Sequence, residues 1–437
     1  MAVTNIWNIL NLRESPFFQD PLDPSTGGHY PVSLFVGRKR EADHILRGLG
    51  GAPHSRHAVQ GPPGVGKTTL VQYVKAAAAE SGWLAESEAI PVTSAATAED
   101  LLLKVLGSVH DALGARDKTL LNLDAMQDVR QLLDVERARS YSVTVSLPGV
   151  GGVGSGAGPH RFTGPGALAV QPARLLRDLS AIAHDHLQAP GILIHLDNLE
   201  NVAEPDQARA AQIIRDLRDS ALMHAGFHYI LVGTDDAIRT IISSQEQLRS
   251  VFSNPGSLQP LGEDELYELL ERRYEYLAVS DERPHGIAVT REAVGRLYRL
   301  FQGNLRGTLH ALDEAAKVLV GRGEDPTAPM DFERMVPVLR TIYQAKLQSD
   351  LTQTQADHLR RIASQGVDAS LTQAEAGRML SLNATSTSSL FSDLQRKGYL
   401  VETSTLPTGR RGRPRQQYVL TGPSRLALDA AATETAL

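Results

Sequence analysis

Gly61, Gly64 and Gly66 stand at a spacing that lets successive backbone N–H groups turn inward on an anion, and Lys67 and Thr68 follow directly. The run Gly61-Pro62-Pro63-Gly64-Val65-Gly66-Lys67-Thr68 carries the full pattern GxxxxGKT. In that pattern the lysine reaches β and γ phosphates and the threonine hydroxyl offers a hard oxygen to Mg²⁺, with Thr69 extending the contact. The chemistry implied is the gripping of ATP. A magnesium ion also needs a carboxylate at the tip of a nearby strand, and Asp197, directly after the apolar run Ile192-Leu193-Ile194-His195-Leu196, has that position. Glu200 is the nearest acid able to serve as a base for a hydrolytic water; its alternative reading is a solvated glutamate at a helix start. His195, inside the run, reads as a packed core residue rather than a ligand. Residues that sense the γ phosphate belong at strand ends and on a lid. Thr234, after Val232 and Gly233, suits the first place, and Arg306, in Gly303-Asn304-Leu305-Arg306, suits the second.

These residues need elements to hold them. His57-Ala58-Val59-Gln60 reads as a strand entering the glycine loop, and residues 68–79 as the helix leaving it, which is the setting such a loop requires. Ile192 to Leu196 and His228 to Val232 read as two further buried strands, each preceded by a helix, so a parallel sheet is expected. Residues 98–139 are helical by pattern. Tyr141, Val143, Val145 and Leu147 alternate with Ser and Thr, and many glycines follow, so a strand entering a loop is expected there. That hairpin is either a solvated insertion or one that touches DNA or a neighbouring subunit. Leu266, Leu269, Leu270 and Tyr274, with Val294, Leu297 and Leu300, form apolar helical stripes of a lid.

The order of these pieces resembles the AAA+ ATPases, and within them the prokaryotic ATPases related to the origin-recognition initiators. Phe35-Val36-Gly37-Arg38 is similar to their adenine-side box, which implies that Val36 and Arg38 contact the nucleotide. Asp197 corresponds to their Walker B acid, Thr234 to sensor 1, and Gly303 to Arg306 to sensor 2. The resemblance covers roughly residues 35–320. It also implies a homo-oligomer in which one subunit's arginine reaches the next subunit's nucleotide; Arg249 is the candidate, Arg239 the reserve, and an ordinary surface arginine the alternative. Two features depart from the family: Glu200 stands three positions after Asp197 instead of one, and 130 residues separate Lys67 from Asp197. The first leaves slow or absent hydrolysis open. The second places residues 99–168 as an insertion.

The last part of the chain has a different character. Between Leu351 and Leu420 nine Arg or Lys face five Asp or Glu, a local excess of four positive charges in a chain of net charge −6. A helix at 353–364, the capping box Thr372-Gln373-Ala374-Glu375 opening a second, and a third after Asn383 are followed by strands around Leu400 and Tyr418. The order resembles the winged helix-turn-helix of many bacterial transcription regulators. Thr385, Ser386 and Ser388 would approach base edges, and Arg396 and Lys397 would hold phosphates. Arg410, Arg411, Arg413 and Arg415 would reach duplex DNA from the wing, where Arg411-Gly412-Arg413-Pro414-Arg415 also resembles an AT-hook core. The alternatives are a winged helix used for protein contacts or a basic loop that only solvates.

The expected fold class is therefore an α/β P-loop AAA+ core with a parallel sheet and flanking helices, an α-helical lid and a C-terminal winged helix-turn-helix. Expected boundaries are an irregular segment at 1–34, the core at 35–258, the lid at 259–345, the winged domain at 351–428 and a disordered tail at 429–437. The sequence has no cysteine, so disulfides and thiolate metal sites are excluded, and its 14 histidines show no HExxH spacing. No window approaches the roughly 20 apolar residues of a membrane span, and residues 1–12 lack the pattern of a signal peptide; a cytoplasmic address is expected. The leading functional expectation is a DNA-binding ATPase whose nucleotide state governs assembly on, or remodelling of, duplex DNA, in replication, transposition, defence or plasmid maintenance. Its rival is a transcription regulator that uses ATP as a ligand with little turnover. A small-molecule kinase is a third reading without an acceptor site.

Overall fold

The computed structural model describes residues 5–24, 29–85, 88–93, 95–144, 172–197, 199, 207–244, 246–252, 257–280, 289–322, 328–366, 369–406 and 415–428. The chain divides into two compact units, one of residues 21–259 and one of residues 1–20 with 260–437.

In the unit of residues 21–259 helices alternate with parallel strands: α1 (Lys39–Gly50), β1 (Ser55–Gln60), α2 (Lys67–Glu80), β2 (Leu84–Ala85) and β3 (Ile90–Pro91). Next come α3 (Ala98–Arg116), α4 (Asp124–Thr144), α5 (Pro172–Leu187), β4 (Ile192–Asp197), α6 (Gln207–Leu217), β5 (Phe227–Gly233), α7 (Asp235–Ser244) and α8 (Glu246–Arg249). The sheet runs β1-β5-β4-β2, with β3 also on β4, and every described pairing is parallel. All seven residues of β5 and the first five of β4 are buried, the unbroken apolar run of a strand covered on both faces. Leu101, Val105, Leu176, Leu179, Ile214 and Ile238 bring α3, α5, α6 and α7 onto it.

Residues 141–144 correct the strand expected from Tyr141 and Val143: they form the last turn of α4. Extending an existing helix adds one hydrogen bond per residue without a new nucleation cost, and this outweighs the β preference of two alternating residues. Val145, Leu147 and the glycines after them lie outside the described residues.

The other unit holds α9 (Glu263–Leu277), α10 (Arg291–Leu300), α11 (Leu305–Gly321) and α12 (Phe332–Asp350). It continues through α13 (Gln353–Ala363), β6 (Leu371–Thr372), α14 (Gln373–Leu380), α15 (Ala384–Arg396), β7 (Leu400–Leu406), β8 (Arg415–Leu420) and α16 (Gly422–Leu428). β6, β8 and β7 make an antiparallel three-stranded sheet, so the order helix, strand, helix, helix, strand, strand is that of a winged helix-turn-helix. α16 packs along α12, and Lys397 and Tyr399 both reach Asp350 at the end of that helix, through its carbonyl at 2.7 Å and its carboxylate at 3.0 Å.

The segment expected to be irregular holds two short 3-10 helices, Ile6–Leu10 and Val32–Leu34, and several of its first residues are buried. Trp7, Leu12, Phe17 and Phe18 are covered, with Trp7 edge-on to Phe17 at 5.9 Å and Phe17 edge-on to Tyr274 of α9 at 6.3 Å. Arg273 donates to the carbonyls of Phe18 at 2.7 Å and Pro16 at 3.3 Å while its guanidinium lies 3.7 Å over the Phe18 ring. Such contacts satisfy a buried cation that would otherwise be costly. Among the described residues no helix is long and apolar enough to cross a membrane.

Candidate functional site

β1 ends at Gln60 and the chain turns at once into Gly61, Gly64 and Gly66, whose φ values of +155°, +77° and +102° belong to a backbone that only glycine adopts without strain. This curl closes on the N-terminus of α2, whose cap, Gly66, offers no side-chain acceptor to the first-turn N–H groups. A phosphate is the natural partner for donors so arranged. Lys67 is buried, and its ammonium donates back to the carbonyls of Gly61 at 3.1 Å and Pro62 at 3.2 Å, so the cation lies over the mouth of the loop. Val65 anchors the loop beneath, Pro62 and Pro63 face solvent, and Thr68 and Thr69 are half-buried on the first turn of α2.

The sheet order sets the rest of the site. β5 lies between β1 and β4, with Gln60 opposite Gly233 and Leu196 opposite Leu231. The loop and Asp197 are therefore two strand spacings apart, roughly 10 Å, and Thr234 issues from the strand between them. Thr234 is half-buried and its Oγ1 accepts from the N–H of Ala237 at 3.3 Å, which starts α7; its hydroxyl proton stays available to an acceptor. Asp197 is the last residue of β4, with 17% of its side chain exposed. The donor set fits a magnesium nucleotide: loop N–H groups and Lys67 for phosphate, Thr68 hydroxyl and Asp197 carboxylate as hard oxygens. His195 points to the same side of β4, its Nε2 3.6 Å from Asp197 Oδ2. Burial first, and the charge of Lys75 second, hold its pKa well below the ordinary imidazole value, so it is neutral. Glu200 lies outside the described residues.

Val36 is buried and Arg38 nearly so. Phe35 stacks on Tyr73 of α2, 4.2 Å between centroids and 16° between planes, which fixes the segment against the loop's own helix. Arg38 donates through Nη2 to the carbonyl of Val65 at 2.6 Å. Neither Tyr73 nor this grip on the loop was foreseen from the sequence; the GxxxxGKT helix register would have placed Tyr73 on the face that Phe35 covers. Arg249 ends α8 and is exposed, while Arg239 on α7 is paired with Asp236. In the other unit Arg306 is exposed in the first turn of α11, which Asn304 caps by accepting from Gly307 N–H at 2.9 Å. A cleft of about 860 Å³ beside α3, lined by Ile90, Pro91, Asp100, Leu103, Lys104 and Asp111, is not part of this constellation. Of its acids, Asp100 is engaged by Thr97 and Asp111 by His110.

In the winged arrangement, Thr372 and Glu375 satisfy each other's backbone as a capping box, and Asn383 accepts from Ser386 N–H at 2.8 Å to open α15. Leu390, Phe391 and Leu394 face inward, leaving Thr385, Ser386 and Ser388 exposed along the outer face. Arg396 is exposed and paired with Asp393. Lys397 is turned inward onto Asp350 and Gln355, and so serves the packing of α13 and α15 on the end of α12. Arg415 opens β8, and Arg410, Arg411 and Arg413 lie outside the described residues.

No curated protein matches the chain. Among solved structures, the Aeropyrum pernix ORC2 protein, in ADPNP–ADP complexes, is similar at 15% identity over 96% of both chains, with a TM-score of 0.48. The Aeropyrum pernix ORC1 protein in complex with DNA is similar at 14% identity over 99% of this chain and 95% of that one, TM-score 0.42. CDC6P from Pyrobaculum aerophilum follows at 11% identity over 96% and 97%, TM-score 0.41. A family model described as an AAA ATPase domain matches residues 34–224, the stretch that holds the loop, Arg38 and Asp197. Over that stretch the chain is thus similar to an AAA ATPase domain, and its parallel sheet with flanking helices agrees with the AAA+ fold.

Proposed function

We propose that this protein is an ATP-hydrolysing, DNA-binding ATPase whose nucleotide state governs how it assembles on or remodels duplex DNA, as initiator-like proteins do. The observation that carries the reading is the joining, in one chain, of a loop built for ATP with a winged arrangement whose α15 presents Thr385, Ser386 and Ser388 to solvent. Lys67 and the loop N–H groups bind the phosphates; Thr68 and Asp197 would hold Mg²⁺, which neutralises charge on the β and γ phosphates. Glu200 takes the proton of the attacking water, Thr234 contacts the γ phosphate from the middle strand, Arg306 does so from the lid, and Arg249 acts on the nucleotide of a neighbouring copy. Arg396 and the wing residues Arg410, Arg411, Arg413 and Arg415 supply the salt-sensitive attraction to DNA.

The rival reading, an ATP-gated transcription regulator with little turnover, is favoured by the three-residue step from Asp197 to Glu200. The two divide on ATP hydrolysis measured with and without duplex DNA. Turnover that rises with DNA, and falls in both Lys67→Ala and Glu200→Gln, is the expected result. Turnover indifferent to DNA and to protein concentration, and intact in Glu200→Gln, would sink the first reading in favour of the second.

A further inference from the structure

We infer that Arg38 is a positioning residue that ties the phosphate loop to the strap Ser257–Gln259, so that nucleotide in the loop sets the conformation of the connection into the lid. The inference rests on the loop being a nucleotide site and goes beyond it in naming where occupancy is read. The strap runs along the loop residue by residue. Ser257 bridges Gln60 in parallel, Leu258 N–H donates to Gln60 O at 2.8 Å, and a Cβ on Gly61 would stand 3.0 Å from Leu258 O. Gln259 then accepts from Arg38 Nη2 at 3.0 Å, and the same nitrogen donates to Val65 O at 2.6 Å. Gln259 is also the last residue before the chain passes into the unit that holds the lid.

An Nη2 nitrogen carries two hydrogens, and here each has a carbonyl, one at the crown of the loop and one on the strap. Arg38 is 9% exposed, and its planar guanidinium is inserted from a backbone held at φ 55° and ψ 22°, a left-handed conformation that arginine adopts at a cost. Such an outlier persists where the surroundings over-determine it, and the two carbonyls give it a use. The carbonyl separation that one nitrogen can span is narrow. A phosphate that reshapes the loop and shifts Val65 O must either draw Gln259 along or break one of the two bonds. Lysine, a point charge without the planar fork, cannot reproduce the geometry.

The test uses the full chain with ADP or a non-hydrolysable ATP analogue plus Mg²⁺. Nucleotide affinity is read by fluorescence of a labelled nucleotide, and hydrogen exchange is read at the amide of Leu258. In the wild type, exchange at Leu258 changes between the free and nucleotide-bound protein. In Arg38→Lys the affinity falls about tenfold, the loss of one charge-assisted bond, and exchange at Leu258 becomes faster and indifferent to nucleotide. Wild-type protein whose Leu258 exchange ignores saturating nucleotide overturns the inference, as does an Arg38→Lys protein that keeps the wild-type response. Lys67→Ala separates the two levels: if it binds nucleotide as well as the wild type, the loop is not the nucleotide site at all. If it loses binding while Arg38→Lys behaves as wild type, only the role of Arg38 fails.

Discussion

Replacing Gly422 with alanine puts the joint between the lid and the winged sheet under a defined load. Gly422 opens α16 where it meets the end of α10, and a Cβ there would lie 2.6 Å from Phe301 Cγ and 2.7 and 2.8 Å from its Cδ atoms. The nearest atom is the root of the ring, so rotating the ring about its own axis does not relieve the conflict. The ring is 4% exposed and lies 6.4 Å from the centroid of Tyr343, so it has little room to withdraw. Overpacking of this kind costs about 1–3 kcal/mol. Helix propensity favours alanine by under about 1 kcal/mol, so the steric term decides the sign. Phe301→Ala alone leaves a cavity costing about 3–5 kcal/mol. In the double variant the clash is gone and the added methyl enters that cavity, so its stability should match or exceed that of Phe301→Ala. The coupling is then about 1–3 kcal/mol, of opposite sign to the single effects. The assay uses the two tryptophans, Trp7 in this unit and Trp83 in the other. In a Trp83→Phe background, urea unfolding followed by fluorescence reports Trp7 alone. Additive losses, or a Gly422→Ala midpoint at or above the parent's, would refute the reasoning.

The parallel sheet carries a pH dependence of its own. Burial, with neighbouring histidines and Arg56 adding to it, holds His57 and His228 at about 4. In the unfolded chain both titrate near 6.5, so on acidification the unfolded state takes up protons first. Stability is full above about pH 6.5 and falls as pH drops toward 4, by at most about 3 kcal/mol per histidine. Trp83 lies edge-on to His228 at 4.7 Å, so a Trp7→Phe protein should show a lower urea midpoint at about pH 5 than at about pH 7.5; an equal midpoint would remove the histidines from the balance. For the wing, changing Arg411 and Arg413 together to alanine should lower the slope of log affinity against log salt by about 1.8, near 0.9 for each phosphate that an arginine no longer neutralises. Filter-binding titrations across salt concentrations measure it, and an unaltered slope takes the wing out of the interface.

Local signals carried far in this sequence. The loop, the strands before it and at β4 and β5, the capping box at Thr372 and the start of a helix after Asn383 all depend on neighbours within a few positions, and all were readable. The sheet order was not, because nothing in Phe227–Gly233 says that it threads between β1 and β4; that follows from long-range pairing. For the same reason the sequence pointed Arg38 at a nucleotide but not at Val65 and Gln259, the latter 221 positions away. Tyr141 and Val143 misled because a two-residue period over so short a stretch is weaker than the helix arriving from α4. Lys397 misled in another way. A basic residue after a recognition-type helix suggests phosphate, and only the packed structure turns its ammonium onto Asp350 O.

The aromatic belt of Trp7, Phe17 and Phe18 has a consequence for the birth of the chain on the ribosome. Its docking partners on α9, among them Arg273 and Tyr274, are translated about 255 residues after it. At roughly 5–20 residues per second this is a wait of about 10–50 s. In that time the whole nucleotide-binding unit has been made and can fold, while three large aromatic rings stay exposed. The lid and winged sheet thus assemble last, and the interval before they close the belt is when the nascent protein most needs a holding chaperone.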